Sequence, residues 1–444
     1  MTTENHSQLD RLLSAVHPRR AVAALAAGLA SLVLLRTADV DPGPDAVARR
    51  RKAEVQGPCG DGSGRDNRCK KNSDCCTGYC DRKEHRCRYK KAGASCTSDE
   101  QCRGTATCVE NICVREQSTW SPSTTFGSGP GSDPADLERP WDVAVSPDTL
   151  TAWVADNGNG RISVWTRSSN TSTVWSHSIN FGTYGSGETN LSSPRGVAVS
   201  TDTLTVWVAD TSNSRISVWT RPSDTSTDWS HSVNFGSGPG SGADNLNYPG
   251  GVAVSADGRT AWVADSENHR ISVWTRSTDT STDWSHSVNF GSGPGSGDAE
   301  FNTPEHVAIS PDTLTAWVAD TSNNRISVWN RPDANSTNWN HSVNFGSGPG
   351  SGEAEFDYSY GVAVSTDTLT TWVVDISNNR ISVWNRPDTS STNWSHSVNF
   401  GSGPGSGAAE FNYPSNVTVS ADGRTAWVAD TNGPNYRISI WTYS

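Results

Sequence analysis

The strongest constraint on the fold of this 444-residue chain is a repeat that recurs six times after residue 118. The tetrapeptide WVAD, or its near copy WVVD, returns every 54 or 55 residues. Its tryptophans are Trp153, Trp207, Trp262, Trp317, Trp372 and Trp427. A phenylalanine keeps the same step, at Phe126, Phe181, Phe235, Phe290, Phe345 and Phe400. Repetition at this period indicates one repeat architecture rather than several unrelated domains.

Each copy contains four short β-rich segments. In the copy that begins at Phe235 they are GVAVS, TAWVAD, RISVW and WSHSVNF, each bounded by Gly, Asp, Asn, Ser or Pro. Such residues favour turns between strands, so one copy predicts one four-stranded blade. In the fourth segment, alternation of period two predicts one face that packs on a neighbouring blade. That face would carry Trp284, His286, Val288 and Phe290.

The last copy lacks its fourth segment, because the chain ends at Ser444 just after RISIW. A matching segment, STWSPSTTFGSG, stands at residues 118–129 and aligns with STDWSHSVNFGSG of a complete copy. An amino-terminal strand that completes the last blade would close the ring and cover its sheet edges. The sequence therefore predicts an all-β, six-bladed β-propeller over residues 115–444.

The repeat resembles the NHL repeat in the pattern P-x-G-V-A-V-S followed by W-V-A-D-T-S-N-x-R-I-S-V-W. An Asp, an Asn and an Arg recur in it, and we interpret this trio as a lock on the turn between the second and third strands. The trios are Asp156, Asn159 and Arg161; Asp210, Asn213 and Arg215; Asp265, Asn268 and Arg270; Asp320, Asn323 and Arg325; Asp375, Asn378 and Arg380. The last copy inserts residues between Asp430 and Arg437.

The amino-terminal region predicts export. Residues 21–35 form an apolar run of 15 residues preceded by Arg19 and Arg20. This length suits a signal peptide better than a membrane span of about 20 residues. Residues 1–36 are thus either a cleaved signal peptide or an uncleaved signal anchor, followed by a basic linker at 37–56. The protein is expected to be secreted or anchored at the outer face of the cell membrane.

Residues 57–114 contain all ten cysteines, which predicts a disulfide-stapled module in an exported chain. The first six resemble the inhibitor cystine knot in their C…C…CC…C…C order. That resemblance implies pairing of Cys59 with Cys76, Cys69 with Cys80, and Cys75 with Cys87. For the last four, the simplest interpretation pairs Cys96 with Cys108 and Cys102 with Cys113. The module has no C-x₂-C pair, so zinc is not expected.

Charge divides the chain at the same boundary. Residues 1–114 hold 19 Lys and Arg against 14 Asp and Glu, whereas residues 115–444 hold 16 Arg, no Lys and 33 Asp and Glu. A domain with a net charge of −17 is a poor match to nucleic acid. The basic loops of the cysteine-rich module could contact an acidic cell surface through Arg82, Lys83, Arg86, Arg88, Lys90 and Lys91.

The blades differ from one another just before and at the start of their first strand, which should surround the mouth of the channel. These positions hold Trp141 and Asp142, Arg195 and Gly196, Gly250 and Gly251, Glu305 and His306, Tyr360 and Gly361, Ser415 and Asn416. Mixed aromatic and charged groups at a concave mouth suit a ligand. The candidate binding residues are Trp141, Asp142, Arg195, Glu305, His306 and Tyr360. The recurrent His177, His231, His286, His341 and His396 are instead interpreted as packing residues.

These features predict an exported, monomeric, non-enzymatic binding or scaffold protein without a cofactor, whose ligand is a protein, peptide or carbohydrate. Two alternatives stay open. One is a propeller hydrolase or lyase that uses Glu305, His306 and Asp142 with a channel metal. The other is a knottin-type inhibitor formed by the cysteine-rich module. The NHL resemblance also implies RNA-binding and ubiquitin-ligase roles, but charge disfavours the first and the chain has no RING motif for the second.

Overall fold

A computed structural model describes residues 80–81, 86–87, 106–109, 112–115, 119–127, 129–291, 293–346, 348–433 and 436–444. The chain divides after Ser118, and Thr119–Ser444 is one compact unit. Before that boundary the backbone of two antiparallel strand pairs is described, β1 Cys80–Asp81 with β2 Arg86–Cys87 and β3 Ala106–Val109 with β4 Ile112–Arg115. The predicted leader and linker lie outside the described residues, and no side chain before Thr119 is described, so the disulfide pairings, the acidic-surface contact and the inhibitor role stay predictions. No helix in the described ranges has both the length and the apolar character needed to cross a membrane.

The compact unit is an all-β propeller of six four-stranded antiparallel sheets, as predicted. Each blade is one repeat, with short strands that begin and end at the turn residues noted above. Blade 1 contains β6 Pro140–Val145, β7 Thr151–Asp156, β8 Arg161–Thr166 and β9 Ser176–Phe181, and is followed by the short parallel pair β10 Thr183–Tyr184 and β11 Asn190–Leu191. Blade 2 contains β12 Pro194–Val199, β13 Thr205–Asp210, β14 Arg215–Thr220 and β15 Ser230–Phe235. Blade 3 contains β16 Pro249–Val254, β17 Thr260–Asp265, β18 Arg270–Thr275 and β19 Ser285–Phe290.

The remaining blades follow the same plan. Blade 4 contains β20 Pro304–Ile309, β21 Thr315–Asp320, β22 Arg325–Asn330 and β23 Asn340–Phe345. Blade 5 contains β24 Ser359–Val364, β25 Thr370–Asp375, β26 Arg380–Asn385 and β27 Ser395–Phe400. Blade 6 contains β28 Pro414–Val419, β29 Thr425–Asp430, β30 Arg437–Tyr443 and, from the amino-terminal side, β5 Trp120–Phe126. Single 3-10 turns follow the second strand at Asn157–Asn159, Thr211–Asn213, Ser266–Asn268 and Thr321–Asn323.

The ring closes as the strand count predicted. Strand β5 is the fourth strand of blade 6 and pairs antiparallel with β30, so that Phe126 faces Ile438 and Trp120 faces Tyr443. The backbone N–H of Thr119 donates to the carbonyl of Ser444 at 3.1 Å. The first strands of neighbouring blades contact one another around the whole ring, including β28 with β6. The first strands therefore surround the channel.

The strand register defines two faces of the propeller. The first strand begins opposite the last residue of the second, as Pro140 does opposite Asp156. The turns after the second strand and the loops that lead from one blade to the next thus share one face, which we call the mouth face. The turns after the first strand and the loops after the third strand lie on the opposite face, which we call the far face. All candidate binding residues stand at the mouth-face end of the first strands.

The hydrophobic core lies between blades, in contact layers that we call walls. In the wall between blades 3 and 4, Trp262 and Phe290 of blade 3 pack with Trp329 and Trp339 of blade 4. Phe290 stacks on Trp339 with ring centroids 4.8 Å apart. Aromatic pairs of this kind contribute packing energy beyond the area that they bury. Recurrence of the same residues in each copy therefore gives each wall the same core.

The predicted single face of the fourth strand is wrong in one respect. Trp284 stacks on Phe235 of blade 2, whereas Phe290 stacks on Trp339 of blade 4, so the two rings lie on opposite faces of blade 3. A β-bulge causes the change, because Val273 pairs with Val288 while the next residue, Trp274, pairs with His286. The extra residue reverses the direction of the side chains that follow. One fourth strand thereby contributes to two walls.

The recurrent histidines pack against tryptophan, as predicted. The ring of His286 meets Trp274 edge-on, with centroids 5.5 Å apart and planes at 79°. Its Nε2 lies 3.0 Å from Oδ1 of Asn289 on the same strand. Equivalent ring contacts hold His177, His231, His341 and His396.

Candidate binding site at the channel mouth

The Asp, Asn and Arg trios stand at the turn after each second strand and also hold the loop that enters the blade. In blade 2, Asp210 accepts hydrogen bonds from Nε of Arg215 at 2.7 Å and from the backbone N–H of Ser192 at 2.6 Å. Arg215 in turn donates to the carbonyls of Gly187 and Asn190. Buried carboxylates need such partners, because an unpaired buried charge is costly. The trio thus fixes the loop that positions the mouth.

Blade 6 keeps this arrangement despite its insertion. Nε of Arg437 lies 3.1 Å from Asp430, against 2.7 Å in each of the other five blades. Arg437 still donates to the carbonyls of Gly407 and Glu410. The mouth-face loops are therefore anchored in the same way all around the ring.

Four of the six candidate residues form one buried group across the channel. The hydroxyl of Tyr360 donates to Oε2 of Glu305 at 3.0 Å and accepts from Nε1 of Trp141 at 3.0 Å. Nη1 of Arg195 lies 3.3 Å from the same hydroxyl and 3.7 Å from Glu305. Its guanidinium stands over the Trp141 ring at 4.9 Å. Burial raises the pKa of Tyr360 well above its ordinary value, so this hydroxyl keeps its proton.

The other two candidate residues belong to a second group, joined by Asn416. Asp142 accepts from the backbone N–H groups of Val143 at 2.6 Å and Val197 at 2.8 Å, and from Nδ2 of Asn416. Nδ2 of Asn416 also lies 3.0 Å from Nε2 of His306. Since this amide nitrogen carries two protons and accepts none, it can donate to both partners. That assignment leaves His306 neutral, with its own proton on Nδ1.

Burial moves the pKa values of Asp142 and His306 in opposite directions, so that the carboxyl ends above the imidazole. It raises the pKa of Asp142 to about 7, although the hydrogen bonds from Val197, Val143 and Asn416 act in the opposite direction. It lowers the pKa of His306 to about 4, against a smaller opposing effect of the Val362 backbone. The neutral form is thereby favoured in both groups. Near neutral pH the pair consists of a partly protonated carboxyl and a neutral imidazole.

Glycines at the same positions of other blades provide the space for these side chains. A Cβ on Gly251 would stand 2.5 Å from Cδ2 of His306. A Cβ on Gly361 would collide with Oδ1 of Asn416. Glycine at Gly251 and Gly361 therefore leaves the room that the His306 and Asn416 side chains occupy in the narrow channel.

The structure does not assemble the three-residue metal set of the hydrolase or lyase alternative. Glu305 is engaged by Tyr360 and Arg195, while Asp142 and His306 meet through Asn416. Within the described part of the chain, no group of three or more His, Cys, Asp and Glu is placed to hold a metal ion. The candidate residues thus converge at the mouth but divide into two hydrogen-bonded groups.

Sequence reasoning missed a ring of residues on the rim of the mouth, immediately before each first strand. All six have a left-handed backbone, with φ of 53° at Arg139, 50° at Ser193, 53° at Tyr248, 50° at Thr303, 62° at Tyr358 and 56° at Tyr413. Tyr248 and Tyr358 are each 40% exposed. The backbone N–H of Tyr358 donates to Oδ1 of Asn324 at 2.7 Å, and that of Tyr413 to Oδ1 of Asn379 at 2.8 Å. The backbone is therefore fixed at Tyr358 and Tyr413, and the rings of Tyr248 and Tyr358 are open to solvent.

Comparison with known proteins supports the repeat assignment. The family model of the NHL repeat matches residues 137–165, 191–219 and 246–274, which lie in blades 1, 2 and 3. A search of curated proteins found no match. The propeller thus contains NHL repeats.

Solved structures similar to the chain share little sequence with it. A periplasmic gluconolactonase of Pseudomonas aeruginosa is 16% identical, with 67% of this chain and 79% of the other covered and a TM-score of 0.47. A protein from Lactobacillus plantarum is also 16% identical, with coverage of 67% and 80% and a TM-score of 0.48. A functionally unknown protein from Desulfotomaculum acetoxidans is 14% identical, with coverage of 66% and 80% and a TM-score of 0.46. Similarity at this level carries no inference about activity.

Proposed function

We propose that this NHL-repeat propeller is an exported binding or scaffold protein that presents the rim of its mouth face to a protein, peptide or carbohydrate ligand. The observation that carries the proposal is the exposure of the Tyr248 and Tyr358 rings on a left-handed backbone, at positions where other blades carry Arg139, Ser193 and Thr303. Bulky residues in this conformation are uncommon, because the Cβ atom approaches the neighbouring carbonyl. All six blades share this backbone, so it belongs to the fold, and what distinguishes the rim of blades 3 and 5 is the tyrosine displayed there.

The floor of the mouth supports binding more than chemistry. Arg195 and Glu305 are buried and neutralise each other, and the Tyr360 hydroxyl links both to Trp141. A network whose members satisfy one another is rigid and has little capacity left for a reacting group. Tyrosines on the rim above it would offer ring faces and hydroxyl groups, a combination that suits ligands with apolar faces and polar edges.

The test is binding by rim variants of the full-length protein. Glycan and peptide arrays would identify a ligand, and isothermal titration calorimetry would compare the wild type with Tyr248→Asn and Tyr358→Asn. We expect each variant to lose about tenfold or more in affinity, as for an aromatic contact at a binding surface. The melting temperature should stay equal or rise, because Asn tolerates the left-handed backbone better than Tyr.

Tyr184 provides the matched control. It is 71% exposed but lies in the short strand β10, without a left-handed backbone. Tyr184→Asn should leave the affinity unchanged. Absence of any ligand on the arrays, or unchanged affinity in both rim variants, would contradict the proposal.

The linked pair of Asp142 and His306 favours a second candidate, a hydrolase or lyase. A carboxyl with a pKa of about 7 beside a neutral imidazole can exchange protons with a substrate near neutral pH. Elemental analysis of the purified protein, with thermal shifts in the presence of divalent ions, separates the two functions. A stoichiometric, tightly bound metal that His306→Ala loses would replace the binding-only proposal.

A further inference from the structure

Five of the six walls hold an arginine of the chain itself at the far face. These arginines follow the third strand of blades 1 to 5 and are Arg167, Arg221, Arg276, Arg331 and Arg386. Each guanidinium stands 4.9 to 5.2 Å from the tryptophan that precedes the fourth strand of its own blade. Each also stands 5.5 to 6.0 Å from the second-strand tryptophan of the preceding blade. The wall is thus a repeated cation site with two aromatic sides.

Blade 3 shows the full set of contacts. Nε of Arg276 donates to the carbonyl of Gly258 at 2.7 Å, and Nη1 donates to the carbonyl of Ser281 at 3.1 Å. The guanidinium lies 4.9 Å from the Trp284 ring and 5.5 Å from the Trp207 ring. Burial lowers the pKa of Arg276, while the charges of Asp279 and Asp257 raise it. This guanidinium is therefore held by aromatic faces, by backbone carbonyls and by the charges of nearby carboxylates.

The sixth wall, between blades 5 and 6, has the same aromatic sides but no arginine. Its tryptophans are Trp120 and Trp372, 6.3 Å apart at 88°, and the equivalent Trp153 and Trp229 are also 6.3 Å apart at 88°. Tyr443 stands where the other blades have arginine, two residues after the third-strand tryptophan. No loop joins the third and fourth strands here, because the fourth strand is β5 from the other end of the propeller.

A cavity of about 240 Å³ lies at this place and is lined by Trp120, Trp372, Asp367, Asp422, Gly423 and Tyr443, among others. We call it the seam cavity. Trp372 is 3% exposed, whereas its five counterparts are fully buried. Residues 420–425 have the sequence SADGRT, identical to residues 255–260 of blade 3. Asp422 and Gly423 therefore correspond to Asp257 and Gly258, which act on Arg276.

We propose that the seam cavity binds the guanidinium group of an arginine side chain presented by a peptide or protein partner. Five equivalent walls with the same two tryptophans each hold the guanidinium of an arginine of this protein. A net charge of −17 over residues 115–444 favours the approach of a cation. A planar guanidinium suits aromatic faces better than the compact, strongly hydrated ammonium of lysine. This site is on the far face and is independent of the rim.

The test uses the full-length protein and N-acetyl-arginine amide as the probe. With 5-fluorotryptophan incorporated, fluorine NMR reports on Trp120 and Trp372, whose signals are assigned from Trp120→Phe and Trp372→Phe. We expect saturable shifts of these two signals, with weaker binding of N-acetyl-lysine amide. Tyr443→Arg places the chain's own guanidinium in the cavity, so binding should weaken at least about tenfold and the melting temperature should rise.

Tyr443→Phe is the matched control, because it keeps an aromatic ring at the cavity and should retain binding. Arg276→Ala is the converse experiment, since it removes the guanidinium from the wall between blades 2 and 3. Added N-acetyl-arginine amide should partly restore the melting temperature of this variant. Absence of saturable shifts in the wild type overturns the proposal, as does equal affinity in Tyr443→Arg. Tyr248→Asn should bind the arginine probe normally, which keeps this outcome separate from that of the rim experiment.

Discussion

The walls and the mouth of the same propeller are built on opposite plans. In the walls, one set of side chains recurs with nearly constant geometry, as in the stacks of Phe235 on Trp284 at 4.7 Å and Phe290 on Trp339 at 4.8 Å. At the mouth, equivalent positions carry a different side chain in most blades, and contacts such as that between Trp141 and Tyr360 cross the ring. Repetition thus marks what the fold requires, and departures from it mark where function is to be sought.

The two plans also differ in how their energies combine. Each wall joins neighbouring blades only, so its contribution should be nearly independent of the others. Mouth residues share hydrogen-bond partners, so the effect of one change depends on the state of the rest. The largest loss of stability is expected where walls depend on a strand from the other end of the propeller. The smallest change is expected at the mouth, where the titrations of two groups have opposite effects on stability.

Removal of Thr119–Phe126 from the full-length protein should have the largest effect on stability. The deletion removes Phe126 from its stack with Trp175 and Trp120 from its stack with Phe400, which damages two walls at once. Loss of one large buried aromatic costs about 3–5 kcal/mol, while whole domains are stable by about 5–15 kcal/mol. We expect differential scanning calorimetry to show no cooperative transition of the propeller. Removal of residues 1–118 is the control, because it leaves β5 in place, and an unchanged melting temperature after the first deletion would refute closure by β5.

A smaller but still large loss is expected from Asp210→Ala. Asp210 is fully buried and pairs with Arg215, which would keep its charge without a carboxylate. Breaking a buried pair in this way costs about 3–5 kcal/mol, to be measured by urea denaturation. Asp265→Ala should cost the same, because its contacts with Arg270 and Asn247 are equivalent. Asp202→Ala, at an exposed turn, should cost about 1 kcal/mol or less, and unequal losses in blades 2 and 3 would contradict the equivalence of the repeats.

The smallest expected effect is a change in the pH dependence of stability at the mouth. The raised pKa of Asp142 stabilises the fold at low pH, and this contribution disappears as pH rises from about 4 to about 7. The lowered pKa of His306 stabilises the fold at high pH, and this contribution disappears as pH falls from 6.5 to about 4. In the wild type the two effects oppose each other over almost the same range.

Single variants should therefore expose opposite slopes between pH 4 and 7. In Asp142→Asn the free energy of unfolding should fall as pH decreases, and in His306→Gln it should rise, each by at most about 3 kcal/mol. Urea titrations at several pH values measure both slopes, and the buried aspartates of the six turns contribute equally to the two variants. Parallel slopes in both variants would show that the pair does not titrate as its burial requires.

Local patterns in the sequence were sufficient to predict the blades and their closure. The step between Trp153 and Trp207 located the second strands, and the match of residues 118–129 to a fourth-strand segment indicated the role of Trp120. These features depend on period-two alternation, turn residues and a strand count, all of which are visible along the chain. The mouth positions of Asp142 and His306 followed from the same register.

Other features depend on distances between blades and could not be predicted in this way. The bulge in β19 follows from its pairing with Val273 and Trp274, which sequence alternation does not contain. Glu305 and His306 are neighbours in sequence but belong to different hydrogen-bonded groups, because different side chains reach them across the channel. The recurrence of arginine after RISVW was visible, but its contacts with two tryptophans require the geometry of a wall. The strained backbone of Tyr248 has no local signature.

Closure by β5 also has a consequence for biosynthesis. The strand that leaves the ribosome first among those of the propeller, Trp120–Phe126, pairs only with the strand that leaves last, Arg437–Tyr443. Blades 1 to 5 can form as they emerge, yet the ring has open edges until Arg437–Tyr443 has emerged as well. Such an interval favours pairing between nascent chains on one messenger, since an unpaired β5 could complete blade 6 of a neighbour. The speed of the last step, in which the two ends meet, should therefore decide how much of the protein is released as monomer.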